Sequence, residues 1–177
     1  MRSRYKILNP TGIFFVTSTI VDWINIFTTD KYFMILINAL KFYQKNNGLI
    51  IYCYVIMNNH FHLIISQENV SRIMQSFKKF TATKITSELK LDNNQLILSQ
   101  LREQKAGYKI TSNYQVWQEG FHPQEISTSK MLKQKIEYIH NNPVRKGLVS
   151  DPVDWKYSSA VDYLTDEKGL IDVCKIS

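Results

Sequence analysis

The chain has 177 residues, 44% of them apolar and 21% charged, with 22 Lys plus Arg against 15 Asp plus Glu for a formal charge of +7. That length and composition describe one ordinary globular domain able to bury its own core, and they exclude an acidic, solvating chain. The basic surplus argues for a polyanionic partner, with nucleic acid ahead of anionic membrane.

Two cysteines, Cys53 and Cys174, are too few for a disulfide framework and lack the spacing of a zinc knot. Residues Met1 to Arg4 are basic but have no signal-peptide apolar core, and no apolar run approaches the roughly 18 residues that span a bilayer. The expectation is a soluble, reduced, cytoplasmic protein that makes no use of a membrane. It reads as one domain, 1–177, with a core over about 9–149 and a tail over 150–177.

In chain order, Gly12 to Val21 is β-branched and aromatic and predicts a strand. Thr28, Thr29 and Asp30 offer an N-cap to a helix with Phe33, Ile37, Leu40 and Tyr43 on one stripe, closed by Asn46-Asn47-Gly48. Leu49 to Met57 and His60 to Ser66 predict two strands, and the Asn58-Asn59 turn between them makes an antiparallel hairpin. From Val70 to about Leu89 the period returns to 3.6. Val70, Ile73, Met74, Phe77, Thr81 and Ile85 face inward, Lys79 faces away and Lys78 lies at the margin. Residues 90–113 are polar and irregular and read as a mobile loop with room for a helical turn, and Tyr114 to Trp117 as a short fourth strand. Ser127 or Thr128 caps a helix that runs to about Asn141 and stops at Asn142-Pro143. Asp151 to Leu164 holds a short last helix. The order β-α-β-β-α-β predicts an α+β, ferredoxin-like sandwich: an antiparallel sheet with helices on one face, then a C-terminal tyrosine-bearing helix and a tail.

Two of the four histidines form His60-Phe61-His62. Residues i and i+2 of a strand share a face, so the two imidazoles project side by side and Phe61 points to the helices. Paired imidazoles form half of a divalent-metal site. They also suit a plain polar sheet face, and the triplet alone does not separate the two. On the later helix Leu132, Ile136 and Ile139 face the core. Tyr138 sits opposite Ile136, with Asn142 one turn on and Gln134 one turn before. A phenol is a candidate nucleophile and an amide oxygen a hard metal ligand. A tyrosine at a helix end is also commonplace. His140 lies about 200° around the helix from Tyr138, away from that set.

Lys78, Lys79 and Lys84 mark the second helix, and Lys133, Lys135, Arg145 and Lys146 surround the tyrosine helix. They are candidates for phosphate-backbone contact and salt-dependent binding, or simply solvated faces. Tyr108, Tyr114 and Phe121 are candidates for stacking on unpaired bases. A histidine-triad hydrolase needs a third alternating histidine, and position 64 is Ile. An RNA-recognition sheet needs an aromatic-rich signature that is absent.

Tyr54 to Ile65, with its HFH triplet, resembles the HUH segment of single-tyrosine HUH transposases. Trp117-Gln-Glu-Gly followed by Tyr138-Ile-His-Asn-Asn142-Pro-Val-Arg-Lys-Gly147 resembles their tyrosine-helix segment. Trp155 to Ser159 and Tyr163 are similar to the tail of the REP-associated tyrosine transposase (RAYT) branch. The resemblance spans about 9–165. Asn58 replaces the usual proline before the histidines, and the Phe121 to Glu125 stretch departs from the pattern at His122.

The resemblance implies a bacterial, cytoplasmic enzyme acting on single-stranded DNA beside a hairpin formed by an imperfect palindrome. His60, His62 and Asn142 would hold Mg²⁺ or Mn²⁺. Tyr138 would attack the scissile phosphate, giving a 5′-phosphotyrosine link and a free 3′-OH for later rejoining. The protein would be a monomer or a homodimer. The alternative is a non-catalytic, domesticated module that binds hairpin or single-stranded nucleic acid.

Overall fold

A computed structural model describes residues 12–105 and 113–176. Strand β1 (Phe14–Thr19) leads through a short 3-10 turn at Val21–Trp23 into helix α1 (Asp30–Asn47). Strands β2 (Ile50–Ile56) and β3 (His60–Ser66) form the expected hairpin, followed by helix α2 (Val70–Leu91). Helix α3 (Gln95–Glu103), strand β4 (Gln124–Glu125) and helix α4 (Ser129–His140) come next. Short helices α5 (Asn142–Arg145) and α6 (Ala160–Leu164) end the order. The sheet order is β2-β3-β1-β4 and every pairing is antiparallel.

Pleating divides the hydrophobic side chains into two cores. Phe14, Val16, Phe61, Leu63 and Ile65 point to the face covered by α1 and α2, where they join Phe33, Leu36, Leu40, Met74, Phe77 and Ile85. Cys53, Val55, Met57 and Ile64 point to the other face and pack under Leu132 and Ile139 of α4. Helix α1 ends as its sequence predicts. Gly48 takes φ 63°, a conformation in which a Cβ is penalised, and the next N–H, of Leu49, returns to the Tyr43 carbonyl at 3.3 Å.

Two expectations need correction. The stretch 90–113 holds more than a helical turn, because the nine-residue helix α3 fills part of it. Asn94 caps α3 by accepting from the Ile97 N–H, and Leu98 and Leu101 reach the core. The fourth strand is not Tyr114 to Trp117. Trp117 makes only an isolated bridge to Ile20, and the strand that pairs with β1 is Gln124–Glu125. Its position is set by the edge that β1 offers, not by the β-propensity of its own residues. Tyr108 and the basic Met1–Arg4 segment lie outside the described residues. Among the described residues no helix is long and apolar enough to cross a membrane.

Candidate functional site

His60 and His62 lie where β3 faces α4, beside Thr19 and Thr17 of β1 in register. Their ring centroids are 4.9 Å apart. Both are almost fully buried, and their contacts with the protein fix how each ring is held. Asn59 Nδ2 donates to the Trp23 carbonyl at 2.9 Å and to Asn25 Oδ1 at 2.8 Å. That orientation leaves Asn59 Oδ1 to accept from His60 Nδ1 at 2.8 Å. The His60 proton therefore sits on Nδ1 and the lone pair on Nε2. His62 Nδ1 is 2.7 Å from Thr17 Oγ1. The tautomer that gives Nδ1–H to that hydroxyl is the one in which His62 presents an Nε2 lone pair.

Tyr138 of α4 closes the site from above. Its ring meets His62 edge-on at 5.2 Å and Phe15 at 6.1 Å, while Phe15 stacks on His62 at 5.4 Å. Helix α4 gives way to α5 at Asn141, and Pro143 has no N–H to continue the ladder. Asn142 is buried with its side chain facing His60. The spacing of four that suggested a shared helix face thus delivers Tyr138 and Asn142 to the same two histidines.

Burial holds His60 down to about 4, helped by the charge of Lys146. Burial holds His62 down to about 3, helped by His60 and Lys135. Both imidazoles are accordingly neutral at physiological pH, the form that ligates metals. His62 Nε2 and Asn142 Oδ1 are buried polar atoms with no hydrogen-bond partner. Orphaned buried polar atoms are costly and call for an occupant. Two imidazole nitrogens and an amide oxygen fit a divalent cation. A mixed set of this kind suits Mn²⁺ better than the all-oxygen shell Mg²⁺ prefers. No group of three or more His, Cys, Asp or Glu side chains able to hold a metal occurs among the described residues, so the amide is needed to complete this set.

The predicted basic residues separate into three groups. Lys135 lies over the Phe15 ring at 4.2 Å, Arg145 over the Tyr138 ring at 5.7 Å, and Lys146 acts on His60. Lys133 instead lines a groove on the far side of α4 with Glu137 and His140. Lys78, Lys79 and Lys84 belong to α2, in the layer across the sheet. There Lys78 donates to the Gln118 carbonyl at 2.9 Å, and Lys84 covers the Phe80 ring at 5.9 Å. Of the stacking candidates, Tyr114 lies between Lys90 and Arg102, and Phe121 packs against the main core. His122 is exposed beside Gly120, where an added Cβ would come within 3.0 Å of its Nε2. Sequence reading missed Thr17, Trp23 and Phe15, and noticed Asn59 only as a turn residue. Alternation along β1 was the available signal for Phe15 and Thr17, since both fall opposite the histidine strand.

His140 turns to the β2 side of α4. Its Nε2 lies 3.2 Å from Cys53 Sγ and 3.0 Å from Ser159 Oγ, and Ser159 Oγ accepts from the Tyr54 N–H at 2.9 Å. This buried cluster ties the tyrosine helix to the sheet and to the tail. Burial raises the Cys53 thiol to about 12, so it stays protonated, and lowers His140 to about 4. An unfolded histidine titrates near 6.5, so as pH falls from there the unfolded chain takes up a proton that the folded chain refuses. Stability from His140 is complete above about pH 6.5 and is lost as pH falls towards about 4, by at most about 3 kcal/mol. Urea midpoints in EDTA are expected to drop between about pH 7 and pH 5. The drop should be smaller in His140→Gln, and an equal drop in that variant would remove His140 from this account.

The site thus belongs to a four-stranded antiparallel α+β sandwich with a histidine pair on a central strand and a tyrosine helix laid across it. Compared with solved structures, the chain is similar to a REP-associated tyrosine transposase bound to a REP hairpin, with TM-score 0.69, 20% identity, and 100% of this chain and 96% of that chain covered. That likeness establishes the shared fold. No family model matches the sequence, and no curated protein does.

Proposed function

We propose that this chain is a divalent-metal-dependent DNA strand transferase of the REP-associated tyrosine transposase kind, acting on single-stranded DNA beside a hairpin. The observation that carries the reading is a histidine pair 4.9 Å apart with two unpartnered buried ligand atoms, His62 Nε2 and the Oδ1 of Asn142 beside His60, and a tyrosine ring 5.2 Å from His62. The transposase of like fold is described with a REP hairpin bound, which makes hairpin DNA the first substrate to test.

His60, His62 and Asn142 would hold the cation. When bound, it supplies Lewis-acid polarisation of a phosphoryl oxygen. Tyr138 Oη attacks the phosphorus, and its phenolic proton passes to solvent. An O–P bond forms to Tyr138 while the bond from phosphorus to the 3′-oxygen breaks. The departing oxygen keeps the electron pair and takes up a proton, giving a 3′-OH and a 5′-phosphotyrosine. The reverse step rejoins strands without ATP because the phosphodiester energy is kept in the tyrosyl ester. Lys135 and Arg145, which flank Phe15 and Tyr138, stabilise charge gathering on the phosphate.

The test is covalent capture. The protein is incubated with 3′-labelled hairpin DNA bearing single-stranded flanks from the borders of its own gene, in Mn²⁺ or EDTA, and run on a denaturing gel. A labelled band at protein size in Mn²⁺ alone supports strand transfer. Tight hairpin binding with no band in either condition would instead support the non-catalytic binding module.

Salt dependence separates the basic groups. Lys146→Ala is expected to reduce the slope of log affinity against log salt by about one, with uniform weakening across DNA sequences. Lys133→Ala, on the far groove, is expected to leave the slope unchanged. Filter-binding titrations over a range of salt check both, and equal effects would erase the division.

A further inference from the structure

Aromatic rings run across the site in sequence. Trp23 meets His60 at 5.8 Å, His60 meets His62 at 4.9 Å, and His62 meets Tyr138 at 5.2 Å. Trp23 stands at the end away from the nucleophile and is 58% exposed. The other two tryptophans are absorbed by the fold, with Trp117 Nε1 donating to Thr81 Oγ1 at 3.1 Å and Trp155 Nε1 to the Ile56 carbonyl at 2.9 Å. Trp23 also has φ 56°, directly after Asp22 at φ 52°. Positive φ is unusual for any residue but Gly, and for a bulky side chain it is a strained outlier. Such strain persists where the surroundings over-determine it, and it collects at functional sites. Here the Trp23 N–H donates to the Ile20 carbonyl at 3.1 Å, and the Trp23 carbonyl accepts from Asn59 at 2.9 Å. The same Asn59 amide sets the His60 proton. One side chain therefore holds both the metal-facing imidazole and an exposed indole in a conformation the chain resists.

We propose that Trp23 is the stacking platform for the unpaired nucleobase on the leaving-group side of the scissile phosphate. This deepens the strand-transfer reading and rests on it. In-line displacement places the attacking and departing oxygens on opposite sides of phosphorus. Tyr138 adjoins His62, and Trp23 adjoins His60. A phosphate over the pair with Tyr138 behind it sends its departing oxygen towards His60. The sugar and base attached to that oxygen then arrive at the indole. Lys146, whose charge is felt at His60, supplies a cation beside the same nucleotide. Stacking accepts every base, so Trp23 fixes the position of the strand and leaves its sequence to other contacts.

The experiment uses the full chain carrying Tyr138→Phe, in EDTA, with a short DNA hairpin bearing oligothymidine tails. Trp23→Gly removes the ring and suits a positive φ, so this variant is expected to melt at or above the parent temperature while binding about five- to a hundredfold more weakly. Trp23→Phe, which keeps a ring, should recover most of the affinity. Abasic substitution along the tails should find one position whose loss weakens the parent by a similar factor and adds nothing in Trp23→Gly. A structural role for Trp23 would not produce that overlap. Unchanged affinity in Trp23→Gly, or abasic losses that add fully at every position, would overturn the platform while leaving strand transfer intact. No affinity of the parent for hairpin or single strand would overturn both.

Discussion

Tyr138→Phe is expected to lower covalent capture of DNA by at least about three orders of magnitude, the scale on which losing a nucleophile acts. The substitution removes one oxygen and little else. A phenylalanine ring still meets His62 and Phe15 edge-on and still lies under Arg145, so the packing of α4 on the sheet is retained. Hairpin affinity should therefore stay within about twofold of the parent, since the ring and its contacts are kept. Among the described residues no other tyrosine packs its ring on His60 or His62. Tyr163 donates to the Tyr52 carbonyl at 2.7 Å, Tyr32 to Asp92 at 2.7 Å, and Tyr54 is fully buried. Adduct formation and gel shift on the same preparation check the prediction. An undiminished adduct would move the nucleophile elsewhere.

His60→Ala with His62→Ala is expected to abolish both metal-dependent cleavage and metal binding, and the second readout needs no DNA. A cation bound at about a hundredfold its dissociation constant adds about 2.7 kcal/mol to folding stability. For a chain of this size that corresponds to a rise of roughly 5–10 °C in melting temperature. Mn²⁺ should raise the parent by that order and leave the double variant unmoved. Mg²⁺ should act at higher concentration, because two of the three ligand atoms are nitrogens. Asn142→Ala should give an intermediate shift, since it removes one ligand atom and keeps the imidazole pair. Cleavage by the double variant that is equal in EDTA and in Mn²⁺ would mean that the site lies elsewhere.

Where the sequence alone was informative, the reason is that local periodicity and burial agree. The β2–β3 hairpin, the Gly48 stop and the apolar stripe of α2 each follow from residues within one element. The histidine pair follows from the strand period, and the Tyr138–Asn142 pair from the helical turn. Helix α3 is legible only as a helical turn within a loop, because only Leu98 and Leu101 of its nine residues are buried, too few to impose a period. Strand β4 is two residues of Gln and Glu, whose pairing with Phe14 and Phe15 is a tertiary event. The clamp of Cys53, His140 and Ser159 joins residues as much as 106 positions apart. Trp23 carries no pattern at all, and its meaning comes from a dihedral angle and from Asn59, far along the chain.

The break at Asn142-Pro143 and the clamp at His140 both follow Tyr138 closely, within the six residues 138–143. Under the proposed strand transfer, Tyr138 and both imidazoles lie together within one copy of the chain, with the Tyr138 ring against His62. Chemistry built this way would be delivered in cis, its rate per molecule would not depend on how often two copies meet, and dilution would leave the site assembled.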